Sequence, residues 1–436
     1  MPETVGPASS ELEPDATATR VTAPRASAVR SLRNRNFRLY LTGQVISQTG
    51  NWFQVTAEIW LILLITDSAT AIGVHSLLRF GPLMLFGIPG GLITDRFDHL
   101  RLLLLTQGLT AVTGVVLAIA ALSSSPSLML IYGVALVRGA VFAIDNPLRR
   151  CFVRDLVPDH DLTNAVSLNS SSNTMARSAG PALSGIVIAT TSIAWCFTIN
   201  ALSFIPVFVT MLMIDRRRLR PAPILSRTPG QIREGFAYVR QSRRIRRTLI
   251  MVTLLGLYPL NWNVVLPVYA TDTFGGDSTM YGYMTSIIAV GAFVGAAIVA
   301  RLTGIGGSHF RIVGALMAGA FLLLAAAPAL PLALIGLTLL GAAATSFSIV
   351  ANSRLQLESE DSMSARVLAI YSVALIGTRP IGSFLTGLIV DHMGTRTAFA
   401  ISSAVVAVVM FTVAFGQASR ARWTPRAVRR RRTAST

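Results

Sequence analysis

Six polar residues share one face of an apolar segment near the start of the chain, and one of them is acidic. They are Gln44, Ser47, Gln48, Asn51, Gln54 and Glu58, which at 100° per residue project within about 120° of one another. A polar stripe on a membrane helix must face protein or water, so hydrogen bonding between helices is its ordinary role. Glu58 supports a second interpretation, because an isolated carboxylate in a low dielectric is driven toward protonation. We predict Glu58 to be a proton-coupling or cation-binding residue, beside a substrate cleft that includes Gln44, Gln48 and Asn51.

A second group of charges lies in a later apolar segment. Arg138, Asp145 and Arg149 stand at i, i+7 and i+11, which places them within about 40° on one helix face. Asp145 could pair with Arg149 or with the loop at 95–101. We predict a charge relay that holds the inward side closed, with direct substrate contact as the alternative; near a membrane interface such residues also simply snorkel.

The third candidate site is a pattern that occurs twice. RSAGPALSGIVI at 177–188 is followed 202 residues later by RPIGSFLTGLIV at 379–390, with Arg, Gly, Leu and Gly in the same register. We expect Gly180 and Gly185 to allow close helix packing, and Pro181 to bend its helix. Arg177 and Arg379 should face a central interface, where they would meet an anionic or hydrogen-bonding group, or carbonyls freed by the proline.

Other chemistry is not expected. All 38 basic residues are arginine, which excludes a P-loop and lysine Schiff-base chemistry. The five histidines and two cysteines form no recognisable metal-ligand or nucleophile constellation. We therefore predict no enzymatic activity, no cofactor and no metal site.

The elements that must position these residues are membrane helices. Of 436 residues, 52% are hydrophobic and only 13% charged, and the mean hydropathy is +0.58. A segment of about 20 apolar residues crosses a bilayer. We predict an all-α membrane protein with twelve transmembrane helices, near 37–66, 71–94, 100–122, 127–149, 162–190, 192–214, 246–272, 279–302, 310–328, 331–352, 364–390 and 396–417.

The net charge of +18 is explained by topology and gives no reason to expect nucleic acid as a partner. Arginines fill alternate connections, most densely at 215–247 and in the C-terminal tail, while the intervening loops hold almost none. Such a bias places the basic loops in the cytoplasm. We therefore predict a multi-pass protein of the inner (plasma) membrane, in contact with the lipid bilayer and with both termini cytoplasmic.

The hydrophilic interruption after the sixth segment divides the chain in two. We predict a disordered tail at 1–36, a six-helix bundle at 37–214, a cytoplasmic linker at 215–245, a second six-helix bundle at 246–417 and a basic tail at 418–436. Within the linker, Thr228 and Pro229 favour a helix start, and the apolar stripe is Ile232, Phe236 and Val239. This helix should lie on the inner leaflet, with a partner site as the alternative.

Two motifs resemble those of a known family. GGLITDRFDHLR at 90–101 is similar to the loop signature of major facilitator transporters at Gly91, Asp95, Arg96 and Arg101, although His99 and Leu100 stand where basic residues are usual and Asp98 replaces a common glycine. RSAGPALSGIVI resembles the fifth-helix motif of antiporters in that family. Together with NPLRRCFVRDLVPDHDLTNAVSLN, it is similar to enterobactin exporters and macrolide-type efflux pumps over about residues 33–417.

This resemblance implies two pseudo-symmetric six-helix bundles with a substrate site between them near the midplane. It also implies that Arg138 takes part in proton coupling and that residues 91–101 form a cytoplasmic gate with Asp145. We expect a monomeric secondary active exporter that uses proton antiport to expel an amphipathic small molecule such as a drug, macrolide or siderophore. An importer of the same fold and a non-transporting membrane sensor or scaffold are the alternatives.

Overall fold

The computed structural model describes residues 29–123, 126–220, 231–302 and 307–421. In the first half the helices are α1 (Arg35–Thr66), α2 (Ala69–Arg96), α3 (His99–Ala120), α4 (Leu128–Leu156), α5 (Asp159–Thr190) and α6 (Ile193–Leu212). The connecting segment contains α7 (Gln231–Gln241). The second half contains α8 (Arg243–Leu257), α9 (Trp262–Val268), α10 (Ser278–Ala300), α11 (Gly307–Ala326), α12 (Leu330–Glu358), α13 (Asp361–Ser372) and α14 (Arg379–Ala421).

Several helix boundaries are set by short polar side chains. Asn34, Ser68, Asp98 and Asp277 each accept hydrogen bonds from backbone N–H groups in the first turn of the helix that follows them. These side chains satisfy donors that a helix start otherwise leaves unpaired. The Asp67 backbone, with a φ of 47°, ends α1 and turns the chain into α2.

Nine segments within the described residues are long and apolar enough to cross a membrane. α1 and α5, with 32 residues each, are not among the nine, and both carry many polar side chains. One of the nine, Arg366–Phe411, has 46 residues, about twice the length that a crossing requires, and Gly394 breaks its helix with a φ of 80°. The chain is thus an all-helical, multi-pass membrane protein over its described part, and the count of twelve spans stays a prediction.

The predicted tail at 1–36 is too long at its end, because residues 29–36 fold onto the first half. Arg30–Arg33 form one 3₁₀ turn, and the hydroxyl of the buried Ser31 donates to the side-chain carbonyl of Asn164 at 2.7 Å. Arg30 pairs with Asp161 in the same place. Residues 1–28 lie outside the described part, as do 422–436 of the predicted basic tail and the expected helix start at Thr228 and Pro229.

The two ends of the bundle can be told apart by their contacts. The linker side carries the starts of α1, α3 and α5 and the ends of α4 and α6, since His99 pairs with Asp155 and Asn36 donates to the Asp215 carbonyl at 2.9 Å. The linker itself begins there, where the Arg220 N–H donates to the Asp155 carbonyl at 3.0 Å. The far side carries the starts of α2 and α10 and the break at Gly394.

The linker helix α7 packs on α13 of the second half. Tyr238 accepts from the Glu360 N–H at 3.1 Å, Arg366 pairs with Glu234 at 2.8 Å, and Val239 is buried. Phe236, of the predicted apolar stripe, is 57% exposed. Part of the stripe therefore contacts protein, and Phe236 is left to face the surroundings.

Each half packs its own helices, and two helix pairs make the most extensive contacts between the halves. In the first half α1 packs on α5 and α6, and α2 and α3 pack on α4; in the second, α12 packs on α10 and α11, and α11 on α14. The halves meet where α2 contacts α14 and α5 contacts α10. Buried apolar side chains form one large cluster that extends through the second half and into the first, and a smaller one at the linker side of the first half, around Tyr40, Leu103 and Phe152.

The glycines of the repeated pattern make equivalent contacts in both halves. A Cβ at Gly180 would collide with Trp52 on α1, and one at Gly382, 202 residues later, would collide with the Leu257 carbonyl on α8. A Cβ at Gly185 would lie 2.6 Å from the Ser278 carbonyl on α10. At the equivalent Gly387 it would lie 2.6 Å from the Ala69 carbonyl on α2. The first glycine thus packs a helix within its half, and the second brings the two halves together on the far side.

Candidate functional site: a buried charge cluster beside a central cavity

Glu58 lies at the centre of a cluster of buried charges formed by α1, α2 and α4. Its Oε1 accepts from the Arg138 guanidinium at 2.7 Å and from Gln54 at 2.6 Å. Its Oε2 accepts from Arg79 and His75, each at 3.0 Å. Glu58 is 0% exposed and Arg138 is 5% exposed, so both partners of this ion pair are buried.

The expectation of an isolated carboxylate at Glu58 was wrong. Two guanidinium groups face one carboxylate, so Glu58, Arg79 and Arg138 together carry one net positive charge. Burying a lone charge is costly, and pairing with hydrogen bonding to both oxygens is what makes this position tolerable. Glu58 is therefore a junction between three helices.

His75 and Arg79 complete the cluster, although neither was among the predicted site residues. They lie one helical turn apart on α2, at i and i+4, and both reach the same oxygen of Glu58. That spacing on an apolar helix was a usable signal, but their partner on α1 could not be identified before the helices were packed.

The predicted polar stripe on α1 divides into two parts. Ser47, Gln48 and Asn51 line a cavity, and Asn51 accepts from the second guanidinium nitrogen of Arg138. Gln54 is fully buried and is held by Asn200 of α6. Gln44 is buried and does not belong to the cavity lining.

The cavity has a volume of about 830 Å³ and is lined mainly by the first half, with Asn263 from the second. Its wall runs from Asn51 and Trp52 in the middle of α1 to Arg150 and Val153 near the end of α4, on the linker side. A volume of this size is within the usual range for small-molecule sites. The close glycine contacts between the halves lie at the other end, so this conformation is closed on the far side.

Asp145 holds α3 and α4 together on the cavity wall. It accepts from Thr106 at 2.8 Å and from Gln107 at 3.1 Å, and it pairs with Arg149 one turn along α4. Of the two partners considered from the sequence, Arg149 is the one present. The described contacts of Asp145 all lie within the first half, and its proposed gating role stays a prediction.

The loop between α2 and α3 is organised by Asp98 and His99, two of the positions at which the sequence departs from the family's loop signature. Asp98 accepts from the Arg101 N–H at 2.8 Å and starts α3, while His99 joins Asp155 at the end of α4. The side chains of Arg96 and Arg101 are exposed. Gly91 and Asp95 belong to α2, but their side-chain surroundings lie outside the described part of the structure.

Arg177 and Arg379 approach each other from opposite halves, near enough for their like charges to repel. Arg177 lines the cavity with Asn169 and Asn173, the residues that precede it by two turns and one turn of α5. Arg379 follows a π-helical stretch, Val373–Gly377, at the start of α14. The interface position of both arginines and the group that they bind stay predictions.

The profile of the transmembrane secretion effector family matches residues 26–425. The chain belongs to this family of major facilitator transporters. It is therefore a membrane transporter and not an enzyme, and the predicted family resemblance is confirmed.

Three relatives with named functions are similar to the transporter over most of its length. It is 26% identical to the staphyloferrin A transporter of Staphylococcus aureus over 379 residues, covering 84% of this chain and 92% of the relative. It is 22% identical to macrolide efflux protein A of Streptococcus pyogenes, covering 84% and 91%. It is 24% identical to the enterobactin exporter of Shigella flexneri, covering 75% and 78%.

Solved structures agree on the fold of the transporter. The nucleoside transporter NupG superposes with a TM-score of 0.68 at 16% identity, covering 87% of this chain and 98% of that one. A bacterial homologue of the iron transporter ferroportin, in an inward-facing state, gives the same TM-score, identity and coverage. At this identity the likeness extends to the fold alone.

Proposed function

We propose that the transporter is a secondary active exporter that expels an amphipathic small molecule, such as a drug, macrolide or siderophore, in exchange for protons. It would act as a monomer in the plasma membrane by alternating access. The proposal is supported most directly by Arg138, whose guanidinium contacts both the buried Glu58 and the cavity-lining Asn51.

This arrangement couples a proton site to a substrate site through one side chain. Protonation of Glu58 would remove the negative charge that holds Arg138, and Arg138 would then be free to turn toward the cavity. Substrate that engages Arg138 would in turn leave Glu58 with one fewer positive partner. Arg138 thus responds both to the proton on Glu58 and to the substrate in the cavity. When the two act in opposite directions on the two sides of the membrane, the transporter exchanges protons for substrate.

The cavity supports an amphipathic substrate. Trp52, Phe80 and Phe142 supply aromatic wall, and amides and guanidinium groups supply the polar contacts. Sites for small molecules combine apolar surface with a few polar groups that fix orientation.

The arginine distribution supports an orientation in which the linker side, and with it both termini, is cytoplasmic. The cavity would then be open to the cytoplasm, which is the loading state of an exporter. The names of the three relatives, an efflux protein, a siderophore exporter and a siderophore transporter, support the same direction.

The direct test is transport into everted membrane vesicles under an imposed proton gradient, acidic inside. The substrates are a macrolide, a catecholate siderophore and a citrate-based siderophore. We expect accumulation of at least one of them, abolished by a protonophore and independent of ATP. Accumulation that survives collapse of the gradient contradicts proton coupling, and uptake confined to right-side-out vesicles contradicts export.

The variant that tests the coupling site is Glu58→Gln, which removes the charge and keeps the shape. We expect loss of gradient-driven transport with retention of substrate binding. Glu358→Gln is the matched control, because Glu358 pairs with Arg354 at 3.0 Å in the other half and does not line the cavity. Gradient-driven export by Glu58→Gln at the control's rate would remove Glu58 from the coupling step.

A further inference from the structure

Arg177, which is exposed on the cavity wall, and the partly buried Arg379 both lack a negative partner among the described residues. In the described part of the chain, Arg79, Arg138 and Arg149 each pair with a carboxylate, whereas Arg177 and Arg379 form no ion pair. The Nε of Arg379 is buried and has no hydrogen-bond partner among the described residues. A buried donor without a partner is costly, which indicates that another group occupies this position in some functional state.

The alternative that these arginines satisfy free backbone carbonyls finds no support. Neither guanidinium donates to a carbonyl among the hydrogen bonds of the described residues, and Pro181 lies within a continuous α5. The two side chains also repel each other from opposite halves. Two cations from opposite halves are thus near enough to repel each other, and neither forms an ion pair with a carboxylate among the described residues.

The cavity next to them has a strong charge imbalance. Five arginines and one aspartate line it, and Glu58 behind the wall adds one more negative charge, which leaves three positive charges in excess. Arg379 would add a fourth. A low-dielectric pocket of one charge sign attracts ligands of the other sign.

We propose that Arg177 and Arg379 form a binding site for an anionic substrate that carries carboxylate or catecholate oxygens, one guanidinium being contributed by each half. The inference rests on the proposed transport function, whose substrate class it narrows. Planar guanidinium groups bind paired anionic oxygens with two parallel hydrogen bonds, which an ammonium or a neutral group cannot reproduce. An anion held between the halves would also remove the repulsion between the two arginines, so that binding favours their approach.

The test is equilibrium binding to the purified full chain in nanodiscs of phosphatidylcholine, with no proton gradient. The probes are citrate, 2,3-dihydroxybenzoate and inorganic phosphate as anions, and erythromycin as an amphipathic cation. We expect at least one anion to bind, and Arg177→Gln and Arg379→Gln each to weaken it at least about tenfold, the size expected for losing a charge-assisted hydrogen bond. Binding of citrate but not of 2,3-dihydroxybenzoate identifies a carboxylate site. Binding of 2,3-dihydroxybenzoate but not of citrate identifies a catecholate site.

Two controls separate a site from general electrostatics. Arg150→Gln removes the same charge from the cavity wall toward the linker side and should change anion affinity less than about threefold, as expected for a charge that acts only at a distance. Arg177→Lys keeps the charge without the planar guanidinium group, and its anion affinity should lie between those of wild type and Arg177→Gln. Binding by Arg177→Lys also shows that a variant at this position still folds. Binding by phosphate alone indicates an adventitious anion only and counts against the substrate class.

Other outcomes overturn the inference directly. Equal weakening by Arg177→Gln and Arg150→Gln, or binding of erythromycin alone, would do so, as would failure of every anion to bind wild type at millimolar concentration. Because this assay requires neither transport nor protons, its failure leaves the proposed export untouched. Conversely, arginine-dependent anion binding by a chain that exports nothing would contradict only the proposed export.

Discussion

Asp391 on α14 joins the two halves of the transporter on the far side, where its carboxylate binds the start of α2. Its carboxylate accepts from the Ser68 hydroxyl at 2.6 Å, from the Ala69 N–H at 2.6 Å and from the Thr70 N–H at 2.9 Å. These donors are the unpaired N–H groups and the N-cap of α2, where a negative charge is also favoured by the helix dipole. The bonds exist only while the two halves touch at this end.

We expect Asp391→Asn to weaken this closure. The amide oxygen keeps part of the interaction, but the charge and one acceptor oxygen are lost. Hydrogen bonds to a charged group contribute about 1.5–3 kcal/mol, and a charge at a helix start about 0.3–1 kcal/mol. A net loss of about 2 kcal/mol corresponds to roughly a thirtyfold shift in population toward the state that is open on the far side.

The assay is labelling of a single cysteine in the cavity by a membrane-impermeant maleimide. Cys151 and Cys196 are first replaced, and Ser76, which lines the cavity, is changed to Cys. Applied from the far side, in the vesicle orientation that exposes it, the reagent should react at least about tenfold faster in Asp391→Asn than in wild type, as the population shift requires.

Asp67→Asn provides the matched control. Asp67 adjoins Ser68 in the same turn, and in the described contacts its side chain makes no bond to α14. Its φ of 47° is one that asparagine tolerates. If Asp391→Asn and Asp67→Asn label at the same rate, the carboxylate does not hold the halves together and the reasoning is refuted.

Three further predictions concern stability. Removing Glu58 leaves two unpaired guanidinium groups, so Glu58→Gln should destabilise the purified protein by about 3–5 kcal/mol. Arg79→Gln leaves one carboxylate facing one guanidinium and should therefore destabilise it less. The reverse order of the two variants in thermal unfolding would contradict the charge count. Gly180→Ala should destabilise by about 1–3 kcal/mol through overpacking against Trp52, while Gly133→Ala, with open space around it, should be neutral or favourable in the same assay. Val239→Asp should release α7 from α13 and increase its protease sensitivity, whereas Glu234→Gln should cost less than about 1 kcal/mol because its ion pair is exposed.

The sequence by itself determined the class of protein, because apolar length and charge placement are local properties. Segments of about 20 apolar residues indicate membrane helices wherever they pack. The repeat at 177–188 and 379–390 also identified the glycines that pack the two halves, since close backbone approach needs a residue without a side chain at a fixed register. The family resemblance followed from the same local motifs.

Only the tertiary structure decided the partners of the charged residues. Glu58, His75 and Arg138 lie on three different helices, and a periodicity gives the face of a helix but not the neighbour that this face meets. The same reason explains why Asp391 was not predicted. Its significance comes from the start of α2, more than 300 residues earlier in the chain, and that contact exists only once the two halves have closed.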